Sequence, residues 1–134
     1  MVKSEAVYVG DLHCELTHGP SGSKIETDAP KDNNGRGEKY SPTDLVGAAL
    51  ISCILTTMAM VAERDGQPIK GARATVEKEM QANPRKIAAL RVKIWLSKAI
   101  PEDYRKKLEH IAHTCPVHRS LHTEIDAPIE FIYT

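Results

Sequence analysis

No surplus of either charge sign marks this chain: eighteen Lys and Arg residues balance eighteen Asp and Glu. Without a basic excess there is no electrostatic capture of nucleic acid or of an anionic membrane, so neither partner is expected. A secretory start is also lacking. "MVKSEAVYVG" has no basic opening followed by an apolar h-region, and cytoplasmic residence is the expectation. Cysteine is scarce, and Cys14, Cys53 and Cys115 form no CxxC pair. An odd count of thiols in a cytoplasmic chain argues against a disulfide framework and leaves room for working cysteines. Repeats and low-complexity segments are absent. The 134 residues suffice for one domain, residues 1–134, with a real core.

What is present is one long apolar run, uncharged from Leu45 to Ala62 and centred on "LISCILTTMA". Its length sits at the lower edge for a membrane-spanning helix. It carries Gly47, Ser52, Cys53, Thr56 and Thr57, with no Trp or Tyr belt and no basic cluster at one flank. The run therefore reads as a helix enclosed by protein. A chain this small cannot enclose it alone, so a partner subunit is expected to complete the cover. "SPTD" starts the helix, with Ser41 as N-cap, Pro42 at the first helical position and Asp44 as the capping-box acid. "ERDGQP" ends it, with Gly66 at C′ and Pro68 preventing continuation.

Strands lie on both sides. "AVYV" and "LHCELTH" are separated by Gly10-Asp11, a hairpin turn that puts Leu12, Cys14 and Leu16 on one face. A short strand is expected near Lys24–Thr27, followed by a loop from Asp28 to Tyr40. Further on, Ala72, Ala74, Val76 and Met80 alternate with polar residues. Leu90, Val92, Ile94 and Leu96 do the same against Arg91, Lys93, Trp95 and Ser97. This is the pattern of an antiparallel sheet covered on one side. A second helix from Pro101 carries the stripe Tyr104, Leu108 and Ile111, one step short of Cys115. "VHRSLHT" makes another turn or two after Pro116, and "APIEFIYT" closes as a strand. The order of elements is α+β.

Two thiols are candidates for chemistry. Cys53 shares its helical face with Val46, Ala49, Leu50, Thr56, Thr57 and Met60. It is either a small buried hydrophobe or a reactive group. A reactive cysteine needs help towards its thiolate, and Cys53 lies about three turns into the helix, beyond the terminal dipole. Cys115 continues the second helix's stripe, so both thiols face one interface. His110, His113, Cys115, His118 and His122 are zinc-ligand types. No second Cys or acid accompanies them and their spacing matches no compact zinc module, so no metal or other cofactor is expected. Packing accounts for Cys14, and "EDYRKK" is a solvated helix face.

"SPTDLVGAALISCILTTMA", with "CPVHRSL" sixty-two residues after its Cys, resembles the OsmC/Ohr family of thiol-dependent peroxidases over nearly the whole chain. The resemblance implies an OsmC-like fold with a long central apolar helix. It implies an intertwined homodimer with the active site at the subunit interface. Cys53 would be the peroxidatic thiol and Cys115 the resolving thiol. The substrate would be an organic hydroperoxide, and an external dithiol would be the reductant. A non-catalytic relative would instead bind an apolar small molecule, or sense redox state through a Cys53–Cys115 disulfide. Active members carry a Glu ten residues before the first Cys, where this chain has Thr43. They also carry an Arg in the N-terminal strand region, where this chain has none before Arg36, leaving His18, Lys24 or Arg36 as substitutes. His118 stands where members have Ser after "CPV" or "CPY".

Overall fold

Two adjacent residues with positive φ, Asp11 (55°) and Leu12 (57°), turn the chain between β1 (Ser4–Gly10) and β2 (His13–His18). The computed structural model describes residues 1–134, which form two compact units, Met1–Val46 and Gly47–Thr134. Two left-handed central residues match the right-handed twist of the flanking strands. The turn lies one residue later than Gly10-Asp11, with a bulge between Tyr8 and Gly10 absorbing the slip. Leu12 therefore leaves the Cys14 and Leu16 face and is exposed. Its carbonyl accepts the Ala29 N–H at 3.0 Å, which holds the turn against the following loop.

β3 (Lys24–Asp28) pairs antiparallel with β2 and completes a three-stranded sheet in the order β1-β2-β3. One end of that pairing carries a charged cluster. His13 Nδ1 lies 2.5 Å from Asp28 Oδ1, and His13 Nε2 lies 3.1 Å from Glu26 Oε1. Asp28 is buried and also accepts the Glu38 N–H at 3.1 Å, so it pins the loop that follows. The loop contains one 3-10 turn, Lys31–Asn33. It folds so tightly that a Cβ on Gly35 would sit 1.7 Å from the Ala29 carbonyl oxygen.

The Asp28 hydrogen bond raises the His13 imidazole above its ordinary value, and the His13 hydrogen bond lowers both Asp28 and Glu26. The His13 contribution to stability is complete below the unfolded value of about 6.5 and is lost as pH rises through the raised folded value. The carboxylate contributions are complete above their unfolded values of about 4 and are lost on acidification through the lowered folded values. Maximum support thus falls between these limits. The melting temperature is expected to decline from pH 6 to pH 9, and His13→Gln is expected to flatten that decline. A wild-type slope unchanged in His13→Gln contradicts the assignment.

α1 (Pro42–Arg64) starts where the sequence places it. Asp44 N–H donates to Ser41 Oγ at 3.0 Å and Ser41 N–H donates to Asp44 Oδ2 at 2.9 Å, a reciprocal capping box. Its end is equally well formed. Gly66 (φ 71°) donates to the Glu63 carbonyl and Gln67 donates to the Ala62 carbonyl, the pair of bonds of a Schellman motif. Gly47, Leu50, Ile54, Met58 and Ala62 form its buried stripe.

In the second unit β4 (Arg73–Gln81) and β5 (Lys86–Leu96) form the antiparallel pair expected from their alternation. Val92, Ile94 and Leu96 are buried on β5, and a register shift between Glu79 and Met80 lets Ala89 and Leu90 both turn inward. A Cβ on Gly47 would meet Val76 at 3.3 Å and Leu90 at 3.5 Å, so glycine lets α1 lie directly on this pair. Trp95, expected on the wet face, is half-buried because the guanidinium of its cross-strand partner Arg73 covers the ring at 3.8 Å.

After β5 come α2 (Glu102–Ala112) and α3 (Pro116–Ser120), then β6 (Ile129–Tyr133). β6 joins β5 in parallel, giving the order β4-β5-β6. Parallel pairing requires a long crossover, and the two helices supply it. The architecture is α+β with two three-stranded sheets.

Candidate functional site: the Cys53–Cys115 pair

Cys53 occupies the middle of α1 and is half-buried, while Cys115 is 0 % exposed. Cys53 is an ionisable neighbour whose effect the Cys115 thiol feels, and both thiols are free. Cys115 lies sixty-two positions after Cys53, so only the fold can bring them near each other.

Anchors at both ends of α2 bring Cys115 there. Tyr104 Oη and Lys107 Nζ donate to Asp65 Oδ2, just past the end of α1, at 2.9 and 2.6 Å. Tyr133 Oη, on β6, donates to Glu109 Oε1 at 2.9 Å. Leu108 and Ala112 are buried beneath these contacts. The helix stops at Ala112, with Cys115 three residues past its end. The expected stripe gives the right inward direction by a different route: Cys115 is the N-cap of α3, in extended conformation, with Pro116 at the first helical position.

That position gives the sulfur a donor. The His118 N–H points at Cys115 Sγ at 3.2 Å. Burial pushes the Cys115 thiol above its ordinary value and the adjacent Cys53 adds to the rise, while the His118 and Val117 N–H groups oppose it. A thiol held neutral in this way becomes a thiolate most readily when the neighbouring sulfur is uncharged. On Cys53 the hydroxyl of Thr57, one turn along α1, lies 4.0 Å from the sulfur.

The other sequence candidates fall elsewhere. Cys14 is on β2 in the first unit and pairs across the hairpin with Tyr8. His113 packs edge-on to His118 (5.9 Å) and to Phe131 (6.4 Å), and His122 Nδ1 accepts the Glu124 N–H at 3.2 Å. His118 thus reaches Cys115 through its backbone, in the capping role, while its ring turns to His113. Thr43 shares a hydrogen bond with Ser41 Oγ at 3.2 Å, and Asp44 is committed to the cap. Arg36 pairs with Asp11 at 2.7 Å, and His18 Nδ1 lies 2.6 Å from Ser21 Oγ. Sequence reasoning missed Asp65 and Glu109 as anchors. Their partners lie 39, 42 and 24 residues away, and no local pattern marks such pairs.

Comparison with known proteins follows the same lines. The family model for OsmC-like protein matches residues 35–130. A crystal structure from Psychrobacter arcticus 273-4, of a candidate osmotic stress induced and detoxification response protein, is 37 % identical. It covers 98 % of this chain and 96 % of its own, with a TM-score of 0.92. An organic hydroperoxide resistance protein OsmC from Legionella pneumophila shares the fold at 18 % identity, 98 % and 96 % coverage and a TM-score of 0.75. A candidate organic hydroperoxide resistance protein from Vibrio cholerae, with captopril bound in one of its active sites, does so at 17 % identity. Its coverage is 98 % and 90 %, and its TM-score is 0.75. Curated proteins give no match. With the family model spanning most of the chain and a relative at this identity over nearly all of it, the protein is a member of the OsmC-like family.

Proposed function

We propose that this protein is a thiol-dependent peroxidase that reduces organic hydroperoxides, and hydrogen peroxide less well, by a two-cysteine cycle in cytoplasmic oxidative-stress defence. The observation that carries the reading is a pair of reduced thiols close enough for one to act on the other's ionisation, one half-buried and one fully buried. Partial access suits Cys53 to meet the peroxide, and enclosure suits Cys115 to wait for the product.

In the first step the Cys53 thiolate attacks the distal peroxide oxygen. The O–O bond breaks, the alcohol leaves after taking a proton, and Cys53 becomes a sulfenic acid. Cys115, as thiolate, then attacks the sulfenic sulfur. The S–S bond forms and hydroxide departs. The α3 amides that donate to the Cys115 sulfur favour its charged form at this step. An external dithiol then reduces the disulfide by two exchanges and is itself oxidised. No metal or cofactor enters the cycle.

The working form in this proposal is one domain per chain, residues 1–134, in an intertwined homodimer. Support comes from α1, which is long and apolar enough to cross a membrane yet has only 28 % of its apolar window buried within the chain. Ala49, Ser52, Thr56 and Met60 make an exposed stripe at helical spacing, with Met60 66 % exposed. A partner subunit would cover this stripe and build an apolar pocket beside Cys53. The Legionella and Vibrio relatives are named for organic hydroperoxide resistance, which fits such a pocket.

The test is consumption of cumene hydroperoxide with dithiothreitol, comparing wild type with Cys115→Ser. Wild type is expected to turn over many equivalents. Cys115→Ser is expected to consume the first equivalent and then lose about tenfold or more in steady-state rate, as its sulfenic acid overoxidises. A wild-type protein that stops after one equivalent in excess dithiol contradicts the peroxidase and favours a redox sensor.

A further inference from the structure

Two adjacent threonines on α1 behave differently. Thr56 Oγ1 donates to the Ser52 carbonyl at 2.9 Å, the ordinary back-bond of a helical threonine. Thr57, one turn along from Cys53, turns its hydroxyl to the Cys53 sulfur instead, at 4.0 Å. The choice of rotamer is informative because the carbonyl four residues back is available to any helical threonine. Cys53 also lacks the other common aid to ionisation, since it stands about three turns from the α1 N-terminus.

We infer that Thr57 is a positioning residue whose hydroxyl donates to the Cys53 thiolate, fixing the sulfur's rotamer and favouring its charged form. The role rests on the peroxidase reading for its purpose but not for its test. In the neutral pair the contact is long. Once the thiol loses its proton the sulfur accepts only, the hydroxyl becomes the donor, and the contact shortens as charge-assisted bonds do. Within the chain, Cys115 at the N-cap of α3 is a titratable neighbour of Cys53. It is removed from the measurement by substitution.

The experiment follows iodoacetamide labelling of the Cys53 peptide by mass spectrometry from pH 5 to pH 10, in full-length Cys115→Ser protein. Thr57→Val keeps the shape and removes the hydroxyl, whereas Thr57→Ser keeps the hydroxyl. Thr57→Val is expected to shift the labelling midpoint upward by about half to one pH unit and to slow labelling at pH 7 about three- to tenfold. Thr57→Ser is expected to restore most of the rate. A midpoint unmoved in Thr57→Val overturns the inference, and so does a Thr57→Ser variant as slow as Thr57→Val. Should wild type fail to consume peroxide while Thr57→Val still shifts the midpoint, the peroxidase reading falls and the role of Thr57 stands.

Discussion

Replacing Cys53 by serine is expected to reduce peroxide consumption about a thousandfold or more, to the level of protein-free buffer with dithiol. The reasoning is chemical. Only a thiolate attacks a neutral peroxide oxygen at a useful rate, and a serine hydroxyl at the same place stays protonated near neutral pH. Neither remaining thiol substitutes for it. Cys115 is fully enclosed, and its neutral form is favoured by burial. Cys14 stands on β2 with no neighbouring cysteine given by the sheet register, where Tyr8 and Thr27 flank it. The fold should survive the change, since sulfur and oxygen differ little in size and the site is half-buried. Circular dichroism therefore separates loss of chemistry from loss of structure. Activity that persists in folded Cys53→Ser would move the nucleophile elsewhere.

The largest structural effect is expected at Leu90. This residue is 0 % exposed on β5, the central strand of β4-β5-β6, and it touches α1 where Gly47 brings the helix closest. Truncation to alanine removes buried apolar contacts and leaves a cavity between two rigid elements that cannot close onto it. Leu90→Ala is expected to cost about 2–5 kcal/mol, a large part of the total stability of an ordinary domain. Urea unfolding reads this as a lower midpoint. Wild type and variant must be compared at one protein concentration, because dimerisation would add a concentration-dependent contribution. A loss below about 1 kcal/mol would mean that the helix–sheet seat is not packed as described.

The parts of this molecule governed by neighbours along the chain are legible from the amino-acid order itself. Ser41, Pro42 and Asp44 announce a helix start because every group in a capping box lies within four residues. Gly66 announces the end because only its left-handed conformation closes the Schellman bonds cheaply. The alternation on β5 marks a buried face because the strand period is two. The first turn falls one residue beyond Gly10-Asp11 because Leu12 takes a left-handed conformation that leucine rarely adopts, and no local signal marks it. Nothing local says that β6 pairs in parallel with β5, since that depends on the whole α2–α3 crossover. For the site, the stripe on α2 points Cys115 inward but does not give its cap geometry, which depends on the chain leaving the helix at Ala112. That Cys53 and Cys115 belong together comes from resemblance to a family, because no periodicity connects residues so far apart.

Cys53 and Cys115 are neighbouring ionisable groups in the fold, and the account stands on that proximity being chemically productive. The direct measurement is mass spectrometry of the reduced protein after one equivalent of cumene hydroperoxide, with free thiols blocked at low pH and the digest left unreduced. The expected result is a loss of two hydrogens, mapped to a single peptide pair that joins Cys53 to Cys115. Sulfinic or sulfonic acid on Cys53 with Cys115 still free, or a bond from either residue to Cys14, would contradict it.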